Sequence, residues 1–212
     1  LAFTFTYNSL VSQVVNYSER TDAAFAETID TFITLALDRI TKECKTLGAE
    51  LYVNNFFTIN NPVLQKPTLW RTTITFNVGN GEVNNTRNQV LQRSYEFCRT
   101  YTKDDTVTGL PLYFCDYGYN NWLVCPTPDQ AYPFEIAYLL EFGPLDITNQ
   151  TNWLTQYAPQ LLFYAVMLET MLYLKDDERS SIWEDRYNKA LASVMKEDKD
   201  RITTRQSQRD KD

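Results

Sequence analysis

The chain has 212 residues, 43% of them hydrophobic, and a net charge of −7. That is enough for one large or two small cores, while the acidic balance argues against wrapping duplex DNA through phosphate contacts. Histidine is absent and the four cysteines, Cys44, Cys98, Cys115 and Cys125, show no C-x-x-C spacing; this excludes Ser-His-Asp and Cys-His catalysis and every histidine-ligated metal site, and reads the cysteines as reduced core thiols of a protein made in a cytosol.

The opening LAFTFTYNS lacks a charged leader and a long apolar run, so it does not read as a signal peptide; AFTFTY reads as a short strand or extended arm. NSLVSQVVNYSER reads as a helix capped by Asn8 or Ser9, with Leu10, Val14 and Tyr17 on one face. AFAETIDTFITLALDRITKECKTLG reads as one amphipathic helix from Phe25 to Leu47, closed by Gly48 as its C′ residue.

From Ala49 to about Phe142, aromatic and β-branched residues alternate with polar ones. ELYVNNFFTI, TLWRTTITFNV, QVLQRSYEFCRTY, PLYFCDYGY, NNWLVCPTP and YPFEIAYLLEF read as strands, with NPVLQKP, GNGEVNN, DDTVTG and PTPDQAYP as connections. Gly79-Asn80-Gly81 offers a hairpin turn.

Helix then returns. Trp153 to Tyr157 reads as a helical turn, Pro159 as the first residue of the apolar helix that ends near Leu174, and Asp176 or Asp177 as the cap of a second helix with Ile182, Trp183, Tyr187, Ala190, Leu191 and Val194 as its stripe. The segment Leu161–Leu174 is too short to span a bilayer and contains Glu169.

The expected fold class is therefore α+β: a helical bundle formed by the N- and C-terminal segments, a β-rich insertion between them, and an extended C-terminal tail. The expected divisions are 1–48 for the arm and first bundle helices, 49–149 for the insertion, 150–197 for the last bundle helices and 198–212 for the tail.

Leu161–Leu174 is apolar almost all the way round. Either it is the central helix of the chain's own core, or part of it packs on neighbouring subunits. The tail from Lys196 to Asp212 has charges of both signs and almost nothing to bury; alone it reads as solvated chain, and held it would need a surface on another molecule. Asp104-Asp105 and Asp176-Asp177-Glu178 have ordinary explanations in a turn and a helix start. YFCDYGYNNWLV suits a small sheet's core better than a sugar platform. No phosphate loop, nucleophile elbow or metal-ligand pattern occurs, so no catalytic residue, metal or cofactor is assigned.

TNWLTQYAPQLLFYAVMLETMLYLKDDERSSIWEDRYNKAL resembles the C-terminal helical hairpin of tailed-bacteriophage head–tail adaptor (connector) proteins, with N-W-L, an apolar helix, a K-x-D-E-R-like turn and W-x-x-x-Y in order. TYNSLVSQVVNY and IDTFITLALDRITKE resemble the family's first two helices, and RSYEFCRTY, GLPLYFCDYGYNNWLVCPTPDQAYPFEIAY and PLDITNQTNWL its β-rich middle. The resemblance covers nearly the whole chain. It implies a structural virion protein at the head–tail interface, synthesised in the host cytoplasm and not an enzyme. It also implies a homo-oligomer, commonly a 12-subunit ring, between the portal protein and the next tail or neck protein. DNA would pass through the ring without sequence-specific binding, and no membrane is involved.

On that resemblance Lys199, Arg201, Arg205 and Arg209 are the candidate portal-binding residues of the tail, and Leu161, Phe163, Glu169, Trp183 and Tyr187 the candidate subunit-packing residues. The other readings are a tail-completion or tail-tube ring protein and, from a different class, a carbohydrate-binding receptor module.

Overall fold

The computed structural model describes the backbone of residues 4–81, 86–104 and 106–209, and the side chains of these as far as Arg201. With 45% helix and 23% strand, neither type dominates, and the fold is mixed α+β as expected. The chain forms two compact units: Leu1–Ala49 with Glu141–Asp212, and the continuous stretch Glu50–Leu140.

The first unit is helical. Helix α1 spans Tyr7–Ser18, α2 Ala23–Ala26, α3 Ile29–Glu43, α5 Trp153–Tyr157, α6 Pro159–Leu174 and α7 Asp177–Arg209, α4 belonging to the other unit. The N-cap of α1 is Thr6, in a reciprocal capping box with Ser9, rather than Asn8 or Ser9. Residues 4–6 are irregular, not a strand; Phe5 N–H instead donates to the Thr155 carbonyl at 3.0 Å.

The expected single helix from Phe25 to Leu47 is divided. Asp22 caps α2, accepting from Phe25 N–H at 3.2 Å, and the Thr28 hydroxyl turns back to the Phe25 carbonyl at 2.7 Å, interrupting the chain before α3. Helix α3 stops at Glu43 because Cys44 is extended; Gly48 is not its C′ residue but the middle of a 3-10 turn, Leu47–Ala49.

Helix α6 is packed against α1, α3, α5 and α7. Leu161, Leu162, Phe163, Ala165, Val166, Met167, Leu168, Thr170 and Met171 are all buried. An apolar circumference is what a helix covered on every side requires; it surfaces at its two ends, at Gln160 and at Leu172 and Tyr173. Pro159 opens it, as read. Lys175 closes it in the left-handed region, with Lys175 N–H bonded to the Leu172 carbonyl and Asp176 N–H to that of Met171. Asp176 then caps α7 through Arg179 N–H at 3.0 Å.

The expected extended tail from residue 198 is not found. Helix α7 continues unbroken to Arg209. Between Lys196 and Arg209 there is no Gly or Pro, Lys, Glu, Arg and Gln are good helix formers, and i,i+4 pairs such as Glu197–Arg201 at 2.5 Å support a helix that buries little.

The second unit carries strands β1 (Glu50–Phe56), β2 (Val63–Gln65), β3 (Trp70–Gly79), β4 (Arg87–Gln89), β5 (Leu91–Gln92), β6 (Tyr113–Asp116), β7 (Asn121–Cys125) and β8 (Pro133–Leu140), and helix α4 (Tyr95–Tyr101). They form two four-stranded sheets ordered β1-β8-β3-β4 and β2-β7-β6-β5, antiparallel except for β5 with β6. Phe76, Val78, Phe114, Trp122, Phe134 and Ile136 are in their shared core.

Two expectations fail here. NPVLQKP contains β2 rather than only a connection, and QVLQRSYEFCRTY is not one strand: Val90 separates β4 from β5, and Ser94 caps α4 by accepting from Phe97 N–H at 3.2 Å. Gly79 ends β3 and pairs with Arg87, so the hairpin loop is longer than Gly79-Asn80-Gly81, and residues 82–85 lie outside the described ones.

Candidate assembly surface

The hairpin of α6 and α7 is fastened to α3 by a polar cluster around the buried Tyr187. Tyr187, fully buried, donates its hydroxyl to Glu43 Oε2 at 2.6 Å. Arg39 donates from Nε to Glu43 Oε1 at 3.1 Å, lies 4.6 Å over the Tyr187 ring, and reaches Glu184 at 3.7 Å. Burial and the Glu43 carboxylate push the Tyr187 phenol well above its ordinary range. Glu169 is partly buried beside the same arginine; desolvation raises its carboxyl and Arg39 only partly offsets this.

An aromatic cluster closes the other side. Trp183 meets Phe163 edge-on at 5.8 Å, Tyr164 at 5.8 Å and Tyr17 at 6.0 Å, and Arg186 lies 5.1 Å over its ring. The sequence-derived packing residues Leu161, Phe163, Trp183 and Tyr187 are therefore inside the chain's own helical unit, and Glu169 is at its edge beside Arg39. Among its exposed apolar side chains are Tyr17, Leu35, Leu172, Tyr173 and Ile182. Of the expected α7 stripe, Ile182 points out.

The far part of α7 is anchored through Asp198. The Asp198 carboxylate is buried and accepts from Leu47 N–H at 2.9 Å, capping the 3-10 turn. Leu47, Gly48, Trp153, Tyr157, Val194 and Arg201 line a groove of about 420 Å³ around it. Arg201 pairs with Glu197 and stands 3.8 Å from Asp198. Lys199 is exposed on the same helix; the side chains of Arg205 and Arg209 lie outside the described residues. A 33-residue helix is about 50 Å long and a 16-residue one about 24 Å, so α7 outruns α6 by roughly half its length.

A second surface was not read from the sequence. On α4, Arg99 lies 5.3 Å over Tyr95 and 5.6 Å over Tyr117; Arg93, just before the cap Ser94, lies 5.8 Å over Phe97 and 5.7 Å over Tyr113. Tyr95, Phe97 and Tyr101 are exposed while Cys98 anchors the helix inward. Part of the signal was present: Tyr95 and Arg99 are four residues apart, a spacing that means contact only once the segment is read as helix, whereas Arg93 precedes the cap at Ser94 and no helical spacing announces it.

Other candidates have structural roles. Asp104 accepts from Thr106 N–H in a turn, Asp105 lies outside the described residues, and Asp176 is the α7 cap. Among the described residues no group of three metal-ligating side chains occurs and no helix is long and apolar enough to cross a membrane. All four cysteines are free and buried; burial pushes the Cys98 and Cys115 thiols up to about 12, which keeps them protonated and inert. In YFCDYGYNNWLV, Phe114, Cys115, Trp122, Leu123 and Val124 are core, and Tyr117 and Tyr119 are exposed.

A family model described as SU10 adaptor protein matches residues 5–209. The match runs through both compact units and to the last helical residue of α7. No curated protein matches the chain.

Proposed function

Because the chain belongs to the SU10 adaptor protein family, whose members are phage head–tail adaptors, we propose that it forms a ring between the portal and the next neck or tail protein, surrounding the DNA exit channel. The observation that carries this reading is the extent of the family match, residues 5–209. A component of this kind is structural: its work is to hold two other assemblies in register rather than to turn over a substrate. Twelve subunits is the proposed copy number. An acidic chain suits a channel that must let DNA slide without gripping it.

The proposed portal contact is the overhanging end of α7. Lys199, Arg201, Arg205 and Arg209 belong to that half of the helix. A guanidinium can hold a carboxylate bidentately, and a ring repeats a modest contact many times. The packing set acts indirectly in this account: Leu161, Phe163, Trp183 and Tyr187 stiffen the hairpin, with Glu169 at its edge, so that neighbours meet a rigid surface.

The test is a chain ending at Arg201. This end point keeps Asp198, which the fold uses, and removes Arg205 and Arg209 with the end of α7. The shortened chain should unfold at the same temperature as the full chain yet be captured more weakly by purified portal rings. Undiminished capture would place the contact elsewhere.

A further inference from the structure

We propose that the arginine–aromatic face of α4 is a self-association surface, and that its occupant is the exposed stripe Glu178–Ile182–Asp185 of α7 on a second copy of this chain; this rests on the reading that the protein works as a multi-copy ring.

The face is built for carboxylates. Arg93 and Arg99 are exposed, yet each guanidinium is already positioned over two aromatic rings. Arg99 is held further by its Nε donating to the Tyr95 hydroxyl at 3.2 Å. Among the described residues neither arginine has a carboxylate within ion-pair distance, in contrast to Arg20, Arg39, Arg87, Arg179 and Arg201. A guanidinium fixed over rings loses little further freedom when it takes a partner. Around it Tyr95, Phe97 and Tyr101 are 43%, 39% and 41% exposed, and tyrosine, phenylalanine and arginine are the residues in which interface cores are enriched.

The complement is on the same chain. In α7, residues 178, 182 and 185 are spaced by four and three and so share one face. Glu178 and Asp185 are exposed, and between them Ile182 is 53% exposed, a large apolar side chain with a carboxylate on either side. Glu178 has no ion pair among the described residues, and Asp185 is paired only with Lys189 at 2.6 Å, both in solvent, where a pair exchanges readily. A stripe of two carboxylates about an isoleucine offers one acceptor to each arginine and an apolar knob to the rings between them. Made once between each pair of copies, the contact is heterologous, the type that propagates from copy to copy and closes into a ring where the rotation between copies allows it. The net charge of −7 favours a protein carboxylate stripe over a nucleic-acid backbone, since the chain as a whole repels a polyanion.

The test is a charge swap on the full chain, read by sedimentation velocity across a concentration series. Arg93→Glu/Arg99→Glu and, separately, Glu178→Arg/Asp185→Arg should each weaken self-association by about tenfold or more with no more than a small shift of the thermal unfolding transition, Glu178 being in the first turn of α7. Mixing the two variant chains should restore association between them. The α7 pair is wholly on the solvent side, so it keeps the test open even where the α4 pair disturbs folding. Wild-type chain that stays monomeric throughout, variants that associate like wild type, or a mixture that fails to recover would each overturn the proposal. So would an arginine reversal that leaves self-association intact and abolishes binding of a labelled DNA duplex, which would assign the face to nucleic acid. Capture by portal rings is measured in parallel. Wild type that self-associates in this charge-dependent way but ignores portals fails the head–tail reading while supporting this interface; captured chain whose association ignores both reversals fails the interface alone.

Discussion

The indole of Trp153 lies across Gly48, so closely that a β-carbon on Gly48 would stand 2.0 Å from its Cε2. The same indole is stacked between Phe142 at 5.8 Å and Tyr157 at 5.7 Å and cannot swing away freely. Gly48→Ala should therefore cost about 1–3 kcal/mol through overpacking, measured by urea unfolding. Trp153→Phe added to it should recover part of the loss, giving a non-additive double-variant cycle.

Asp198 fixes where the fold ends and the overhang begins. Asp198→Ala removes the acceptor for Leu47 N–H and should cost about 0.5–2 kcal/mol, as loss of a cap does. Calorimetry should show a chain ending at Met195 melting lower than one ending at Arg201, and the latter melting with the full chain. Equal melting of all three would mean that the Asp198 contact adds nothing to the fold.

Glu169 predicts a gain from removing charge. Its carboxyl is raised above the usual 4.5 by burial, with Arg39 opposing. The folded state thus holds the proton more tightly than the unfolded one; that contribution is full below the unfolded value and is lost as pH rises through the folded one. At neutral pH the wild type bears an ionised, partly desolvated carboxylate. Glu169→Gln should be at least as stable as wild type at pH 7, with its relative advantage shrinking on acidification, in denaturation curves taken at several pH values.

The buried phenols set the alkaline limit. Tyr7, through burial and its hydrogen bond to Asp30, is pushed up to about 12, and Tyr187 is raised further. Their contribution is complete below the ordinary tyrosine value of 10.0 and is lost as pH climbs above it. Stability should fall steeply above about pH 10, to which the raised Cys98 and Cys115 thiols add. Tyr187→Phe should cost about 1.5–3 kcal/mol at pH 7, the range for a hydrogen bond to a charged acceptor, and should make the alkaline decline shallower.

Periodicity located the apolar hairpin, most of the strands and the caps at Pro159 and Asp176, because these signals are local. It misjudged what depends on contacts far along the chain. Gly48 reads as a helix stop, but the helix ends at Glu43 and the missing side chain of Gly48 serves Trp153, 105 positions later in number and adjacent only in space. Asp198 resembled one more charge in a solvated tail, but its carboxylate caps a turn 151 residues earlier. The stretch around Ser94 alternates like a strand; its cap, with Glu96 in the first turn and Arg99 in the last, was the better guide. Polar composition made the end of α7 look extended, although charged residues sustain a helix without a core. The packing set was legible as buried, and the face that buries it is the chain's own.

The most direct measurement is electron-microscopic imaging of the neck of the particles that carry this chain, with the chain located by its own density. The account predicts a closed ring of twelve copies in contact with the portal on one side and the next neck or tail component on the other, with the end of each α7 on the portal. A chain found elsewhere in the particle, or present at the neck without touching the portal, would contradict it.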